Sequence, residues 1–327
     1  MFKYLATSAL LFASPLAAET LRVVADIPPI HSLTAQVMGD LGTPALLTEP
    51  SASPHGHALR PSEAARLQAA DLLVWVGPTM SPWLAEARED MAKDAASLPL
   101  MEAEGSTVLP KRGAHMHDHD HDHAHEEKPE AKAEDHDHDH SHDDDHGHDK
   151  AETADAPRPD PHLWLDPQNA TLWLTLIAEE LAQLDPDNAE SYRSNAAAAA
   201  EAITAQAAEA AARLAPLAGR EFLTAHDAYQ YFEARFGLTS HAAITDAEDA
   251  EAGPAHLRDV LASSDGLGCF ITEPSTPSAS IRLVTETLSI PAVEIDPLGA
   301  ALPLGAAQYA ALMESLTSGF ETCLKQP

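Results

Sequence analysis

The chain is short of cysteine, of basic residues and of long apolar runs, and each shortage removes a class of protein. Cys269 and Cys323 are its only thiols. They lie 54 positions apart and follow no metal-ligand spacing, which disfavours a thiolate site. In an oxidising compartment two such cysteines most simply pair. Lys and Arg number 19 against 52 Asp and Glu, for a formal charge of −33. A surface this acidic argues against nucleic acid and against anionic membranes as partners. No stretch reaches the roughly 18 apolar residues that a membrane-spanning helix requires. There is no His-Glu-x-x-His motif and no Gly-x-Ser-x-Gly elbow, so the common signatures of zinc and serine hydrolases are missing.

What the chain does have is histidine in one place. Twelve of its 19 histidines fall between Ala114 and His148. The first block carries His115, His117, His119, His121, His123 and His125, mostly alternating with Asp. The second carries His136, His138, His140 and His142, then His146 and His148. Imidazole nitrogen is a good donor for Zn²⁺, Cu²⁺ and Ni²⁺, and aspartate adds oxygen donors and negative charge. The segment 113–150 has almost nothing to bury, so it is expected to be a disordered loop that holds metal weakly at interchangeable positions. An expression tag would be a pure histidine run at a terminus, and this tract is internal.

The chain opens Met1-Phe2-Lys3-Tyr4, continues with the apolar Leu5–Leu16, and reaches Ala17-Ala18-Glu19. A basic start, a short apolar run and small residues before a polar one predict a secretory signal peptide over 1–18. No cysteine lies near the junction to take a lipid. The expected location is the periplasm, with the mature chain not inserted in a membrane and monomeric.

Short β-rich runs alternate with helical patterns. Strands are expected at 21–26, 46–48, 72–76 and 98–101, with helices at 31–38, 61–70 and 82–93. A helix should run from Asp166-Pro167 to about Leu184, where Asp185-Pro186-Asp187 breaks it. The Ala-rich stretch 188–214 has no Gly or Pro and predicts one long connecting helix. Strands then recur at 221–224, 268–272 and 292–295, with a helix at 228–236. Alternation of this kind indicates parallel sheets with helices on their faces. The organisation expected is an N-terminal lobe over 19–187, a connecting helix over 188–214 and a C-terminal lobe over 215–327. The fold class is α/β, two lobes bridged by a long rigid helix, with a metal site in the cleft between them.

Ligands in open α/β sheets bind beyond the carboxyl ends of the strands. His226 follows the strand at 221–224, and Asp296 directly follows the strand at 292–295. His55 lies in a loop before one helix and His162 just before another. Three imidazoles and a carboxylate would suit a tetrahedral Zn²⁺ site. Asp296, preceding a proline, is equally an ordinary turn residue. His31 could be an accessory ligand or a helix-end residue. Glu273, at a strand end, is better read as a structural acid, and His57, His241 and His256 as surface residues.

Taken together, Ser53-Pro54-His55, Leu59-Arg60-Pro61-Ser62, Val76-Gly77, His162-Leu163-Trp164-Leu165-Asp166-Pro167, His226-Asp227-Ala228-Tyr229 and Asp296-Pro297-Leu298-Gly299 resemble the ZnuA family. These are periplasmic zinc-binding proteins of ABC uptake transporters, within a wider group of zinc and manganese receptors. The resemblance covers nearly all of the mature chain. It implies Zn²⁺ as the ligand and an inner-membrane ABC permease as the partner. It carries the metal ligands onto His55, His162 and His226. Some zinc members have an acid before the first histidine, where this chain has Pro54. Asp296 matches the aspartate that completes the site in other members, with water the alternative. Manganese-type members tend to have Glu at the position of His226, so a third imidazole favours zinc. The competing readings are an enzyme, for which the motifs are lacking, and a metal buffer that serves no transporter.

Overall fold

A computed structural model describes residues 20–112, 158–245 and 253–326. The expected export signal and the histidine tract lie outside these residues. The chain forms two compact units, and each takes three stretches of sequence. Unit 1 takes Met1–Ser106, Asp166–Ala211 and Leu298–Leu316, and unit 2 takes Thr107–Leu165, Ala212–Pro297 and Thr317–Pro327, so far as these are described.

Unit 1 holds a four-stranded sheet of β1 (Val23–Ala25), β2 (Ala45–Leu46), β3 (Leu72–Trp75) and β4 (Ala96–Pro99), in the order β2-β1-β3-β4. Every pairing is parallel. The central strands β1 and β3 are continuous apolar runs, as strands covered on both faces require. Leu72, Leu73 and Val74 are fully buried. The helices are α1 (Pro28–Met38), α2 (Pro61–Gln68), α3 (Pro82–Met91), α4 (Pro167–Leu184) and most of α5 (Ala189–Leu214). Proline at the first turn starts α1 through α4, where its missing N–H costs no helical bond. Asp166 caps α4 by accepting the Gln168 N–H at 2.8 Å. Helix α5 has 26 residues, about 39 Å at 1.5 Å per residue. Tyr192, Ala196, Ile203, Ala210 and Leu214 form its buried stripe, and only its last turn belongs to unit 2.

Unit 2 holds β5 (Glu221–His226), β6 (Thr239–Thr245), β7 (Phe270–Thr272) and β8 (Ala292–Glu294), again all parallel, in the order β6-β5-β7-β8. Its helices are α6 (Gln230–Phe236), α7 (Pro254–Ser263), α8 (Ser278–Leu288) and the C-terminal part of α9 (Gln308–Leu324). Alternation along β5 divides the core. Leu223 and Ala225 pack with Ile244, Val260, Phe270 and Val284 on one face. Phe222 meets Phe320 of α9 edge-on at 5.2 Å on the other, where Phe232 stacks on the same ring at 4.9 Å. Cys269, beside β7, is bonded to Cys323 of α9 with Cα atoms 5.4 Å apart, as the sequence suggested. Closing a loop of that length stabilises the fold by about 4 kcal/mol in the chain-entropy model.

The two α/β lobes with parallel sheets and the long helix agree with the sequence reading. Four elements do not follow from it, namely β6, α7, α8 and α9. The expected strand at 98–101 sits two residues earlier, and Leu100–Glu102 instead forms a short 3₁₀ turn. Among the described residues no helix is long and apolar enough to cross a membrane.

Both sheets have a switch point, beside β1 in unit 1 and beside β5 in unit 2, where successive connections run to opposite sides. In unit 1 a buried acid fills it. Asp26, after β1, accepts the Ile27 N–H at 2.8 Å through Oδ1 and the Val76 N–H at 2.9 Å through Oδ2. Burial pushes its carboxyl from the usual 3.8 up to about 7, against the pull of those two bonds. An acid whose pKa rises on folding stabilises the fold most below its unfolded value. That contribution is lost as pH climbs through the folded value. We expect the stability of D26N relative to the parent protein to rise by up to about 4 kcal/mol between pH 4 and pH 7. Denaturant titrations of both across that range check this, and a pH-independent difference contradicts it.

Candidate metal centre

His226 is the last residue of β5 rather than two residues beyond it. The expected strand end at 224 falls short because β6, the unforeseen neighbour, extends the ladder. His226 pairs with Thr245 in register, and the Asp227 N–H bonds the Thr245 carbonyl at 3.1 Å. Its side chain therefore leaves the carboxyl edge of the sheet at the switch point, where open α/β sheets take ligands. Its ring and that of His162 meet edge to face, with centroids 4.9 Å apart. Both are buried, at 4% exposure.

A carboxylate backs each ring. Asp160 Oδ1 lies 2.6 Å from His162 Nδ1 and also accepts the His162 backbone N–H at 3.0 Å. An ionised carboxylate only accepts, so this contact puts the ring proton on Nδ1 and leaves the Nε2 lone pair available. Glu273, immediately after β7, brings Oε1 to 3.4 Å from His226 Nδ1. The same oxygen accepts the Tyr229 hydroxyl at 3.3 Å. Carboxylates behind ligating imidazoles fix ring orientation and raise basicity at metal sites. Glu273, read from the sequence as a structural acid, bonds Thr276 through its backbone and also approaches His226. Asp160 was not singled out at all, although its spacing in Asp160-Pro161-His162 was a usable signal.

His55 belongs to unit 1, in the loop between β2 and α2. Its neighbours pin that loop. The Pro54 carbonyl accepts from Trp83 Nε1 at 2.9 Å and from Ser81 Oγ at 3.1 Å. His57 Nε2 lies 2.8 Å from Glu63 Oε2, and its ring meets Trp83 edge-on at 5.1 Å. Glu63 also accepts the Arg60 N–H at the start of α2 at 2.8 Å. Burial alone would raise the Glu63 carboxyl, but the Arg60 and His57 contacts hold it below its usual value. One ligand atom from each of His55, His162 and His226 lies within 4.8 Å of the other two, a group able to hold a metal ion.

The remaining candidates divide. His31 is buried in α1 with Nε2 on the Pro44 carbonyl at 3.0 Å, a tie from helix to loop. Asp296, half-buried just beyond β8, is not a member of the three-histidine group. His57, His241 and His256, expected at the surface, are half-buried and engaged, His241 near Glu221 and Ser263 and His256 on the Ala243 carbonyl. The twelve tract histidines lie outside the described residues.

Comparison with known proteins agrees with this chemistry. The family described as zinc-uptake complex component A, periplasmic (ZnuA), matches residues 23–323. The high-affinity zinc uptake system protein ZnuA of Paracoccus denitrificans is 43% identical over 315 residues, covering 95% of this chain and 94% of its own. That of Brucella suis is 38% identical over 320 residues, with 96% and 94% covered. Among solved structures, a ZnuA crystal structure superposes with a TM-score of 0.72 at 20% identity, covering 94% of this chain and all of its own. The substrate-binding protein FpvC of Pseudomonas aeruginosa, in complex with Mn²⁺, gives 0.73 at 19% identity, with 94% and 99% covered. At those identities the two structures speak for the fold alone. The chain belongs to the ZnuA family, and is therefore a periplasmic zinc-binding receptor and not an enzyme.

Proposed function

We propose that this receptor takes up one Zn²⁺ through His55, His162 and His226 and hands it, as a monomer, to an inner-membrane ABC permease. The observation that carries the reading is the approach of the three ligand atoms to within 4.8 Å of one another. Nitrogens sharing one tetrahedral zinc at about 2.0–2.1 Å stand roughly 3.4 Å apart. Three imidazoles suit zinc better than manganese. The fourth position goes to Asp296 or to water. Delivery to a permease is supported by the relatives' designation as uptake-system proteins. The signal-like N-terminus, cleaved near Ala18, would bring the chain to the permease's compartment.

Replacing His55, His162 or His226 by Ala should weaken zinc binding by about a hundredfold or more, since changes behind the ligands already cost roughly 10–100-fold. D296A should cost much less, because water can fill one coordination position. Competition against a chromophoric zinc chelator measures all four. Equal losses at Asp296 and at the histidines would contradict the three-imidazole assignment.

The tract contributes a second, weaker pool of zinc in this reading. Its support is compositional, twelve histidines interleaved with aspartate. Removing 113–150 should lower zinc stoichiometry and leave one tight site. Each imidazole must be neutral to bind, and nearby aspartates favour its protonated form. Tract zinc should therefore be released as pH falls toward about 6.5 and below. The tight site, with preorganised ligands, should hold its ion to lower pH. Titration of intact and deleted protein between pH 8 and pH 5 decides it, and parallel loss at equal stoichiometry would rule the tract out as a collector.

A further inference from the structure

Behind His226 lies a buried ion cluster that the zinc site does not itself use. The Arg112 guanidinium reaches Asp227, the residue after His226, through Nη2 to Oδ1 and through Nε to Oδ2 at 3.3 Å. It also reaches Glu233 of α6, through Nη1 to Oε2 at 2.8 Å and Nη2 to Oε1 at 3.1 Å. Ser240 of β6 closes the group, lying 3.3 Å from Nη1 and donating its hydroxyl to Glu233 at 3.0 Å. Asp227 and Glu233 are 8% and 3% exposed, so neither carboxylate is compensated by water.

The stretch that carries Arg112 is tied to the other ring as well. The Lys111 N–H bonds the Arg158 carbonyl at 2.7 Å, and the Asp160 N–H bonds the Leu109 carbonyl at 2.9 Å. The Tyr231 hydroxyl of α6 joins both stretches, accepting the Leu109 N–H at 2.9 Å and donating to the Asp160 carbonyl at 2.8 Å. Asp160 is the acid on His162 Nδ1. One short antiparallel pair, 109–112 against 158–160, thus contacts the residue following His226 at one end and orients His162 at the other.

We infer that Arg112 is a positioning residue for zinc. Its fork on Asp227 and Glu233 fixes the turn between β5 and α6, and with it the angle at which His226 faces His162. The inference rests on the reading of His162 and His226 as zinc ligands. A guanidinium suits the role because its planar fork satisfies two carboxylates at once, which a lysine ammonium cannot do. Deleting one charge of a buried cluster leaves the others uncompensated, whereas neutralising all of them together is often harmless to the fold.

The test uses the full chain in two variants, R112K and the charge-neutral R112M/D227N/E233Q. Three quantities are read, the melting temperature without metal, zinc affinity by chelator competition, and the visible spectrum of the Co²⁺-loaded protein. We expect the neutral variant to melt within a few degrees of the parent protein, yet to bind zinc about tenfold more weakly or worse, as changes to groups behind metal ligands do. Its Co²⁺ bands should differ from those of the parent protein, reporting altered geometry at the metal. R112K should fall between the two, and it decides the matter if the triple variant does not fold. Parental zinc affinity and Co²⁺ bands in either variant would overturn the role of Arg112. The parent protein's own affinity reports separately on the receptor reading, so the two failures are distinguishable.

Discussion

The proton on Nδ1 of His162 governs what the site can bind. Asp160, 2.6 Å away, can only accept it, so the opposite nitrogen presents a lone pair to whatever lies in front of the ring. A histidine without such a backing acid exchanges tautomers and swings about its side-chain bonds, and each freedom must be surrendered when a metal arrives. Glu273 also places a carboxylate oxygen near His226 Nδ1, at the longer distance of 3.4 Å. The two acids add negative charge behind neutral donors, which favours a divalent cation without occupying its coordination sphere. Several contacts of unit 2 hold these four side chains in place.

That service begins with the sheet. Strands β5 and β7 are hydrogen-bonded neighbours, so His226 at the end of one and Glu273 just past the end of the other leave the same edge side by side. Thr224 and Phe222, two and four residues back along β5, share the face of His226 and are fully buried. The strand therefore cannot slip by a residue without turning its whole apolar set over. The Cys269–Cys323 bond anchors the neighbouring strand to α9. In unit 1 the equivalent switch point is closed by Asp26 with its two backbone bonds. The two sheets share a topology, yet only the second has a histidine at that point.

Much of this was legible from residue order alone. Helices α4 and α5 announce themselves by a Pro-started apolar period and by a long run without Gly or Pro. Strand β3 is a plain apolar run between turn signals. The elements that escaped have weak local signals and depend on their surroundings. Strand β6 is Thr-Ser-His-Ala-Ala-Ile-Thr, an edge strand with small residues, and only its pairing with β5 makes it a strand. Helix α8 carries Ile, Val and Thr, poor helix formers on their own, and tertiary packing overrides that preference. The same missed strand explains the misplaced end of β5 at His226. The histidines could be picked out because metal chemistry restricts the residue types. Asp160 was hidden by its ordinary look in a Pro-rich loop, and Arg112 because its partners lie more than a hundred positions away.

The most direct test of the three-imidazole account is X-ray absorption at the zinc edge. The protein lacking 113–150, loaded with one equivalent of Zn²⁺, isolates the site from the tract. The account predicts a first shell dominated by about three imidazole nitrogens at roughly 2.0–2.1 Å, with the outer-ring scattering that imidazoles give. Loss of that imidazole signature in H226A, down to about two rings, would match. A shell of oxygens with one imidazole or none in the parent protein would contradict it.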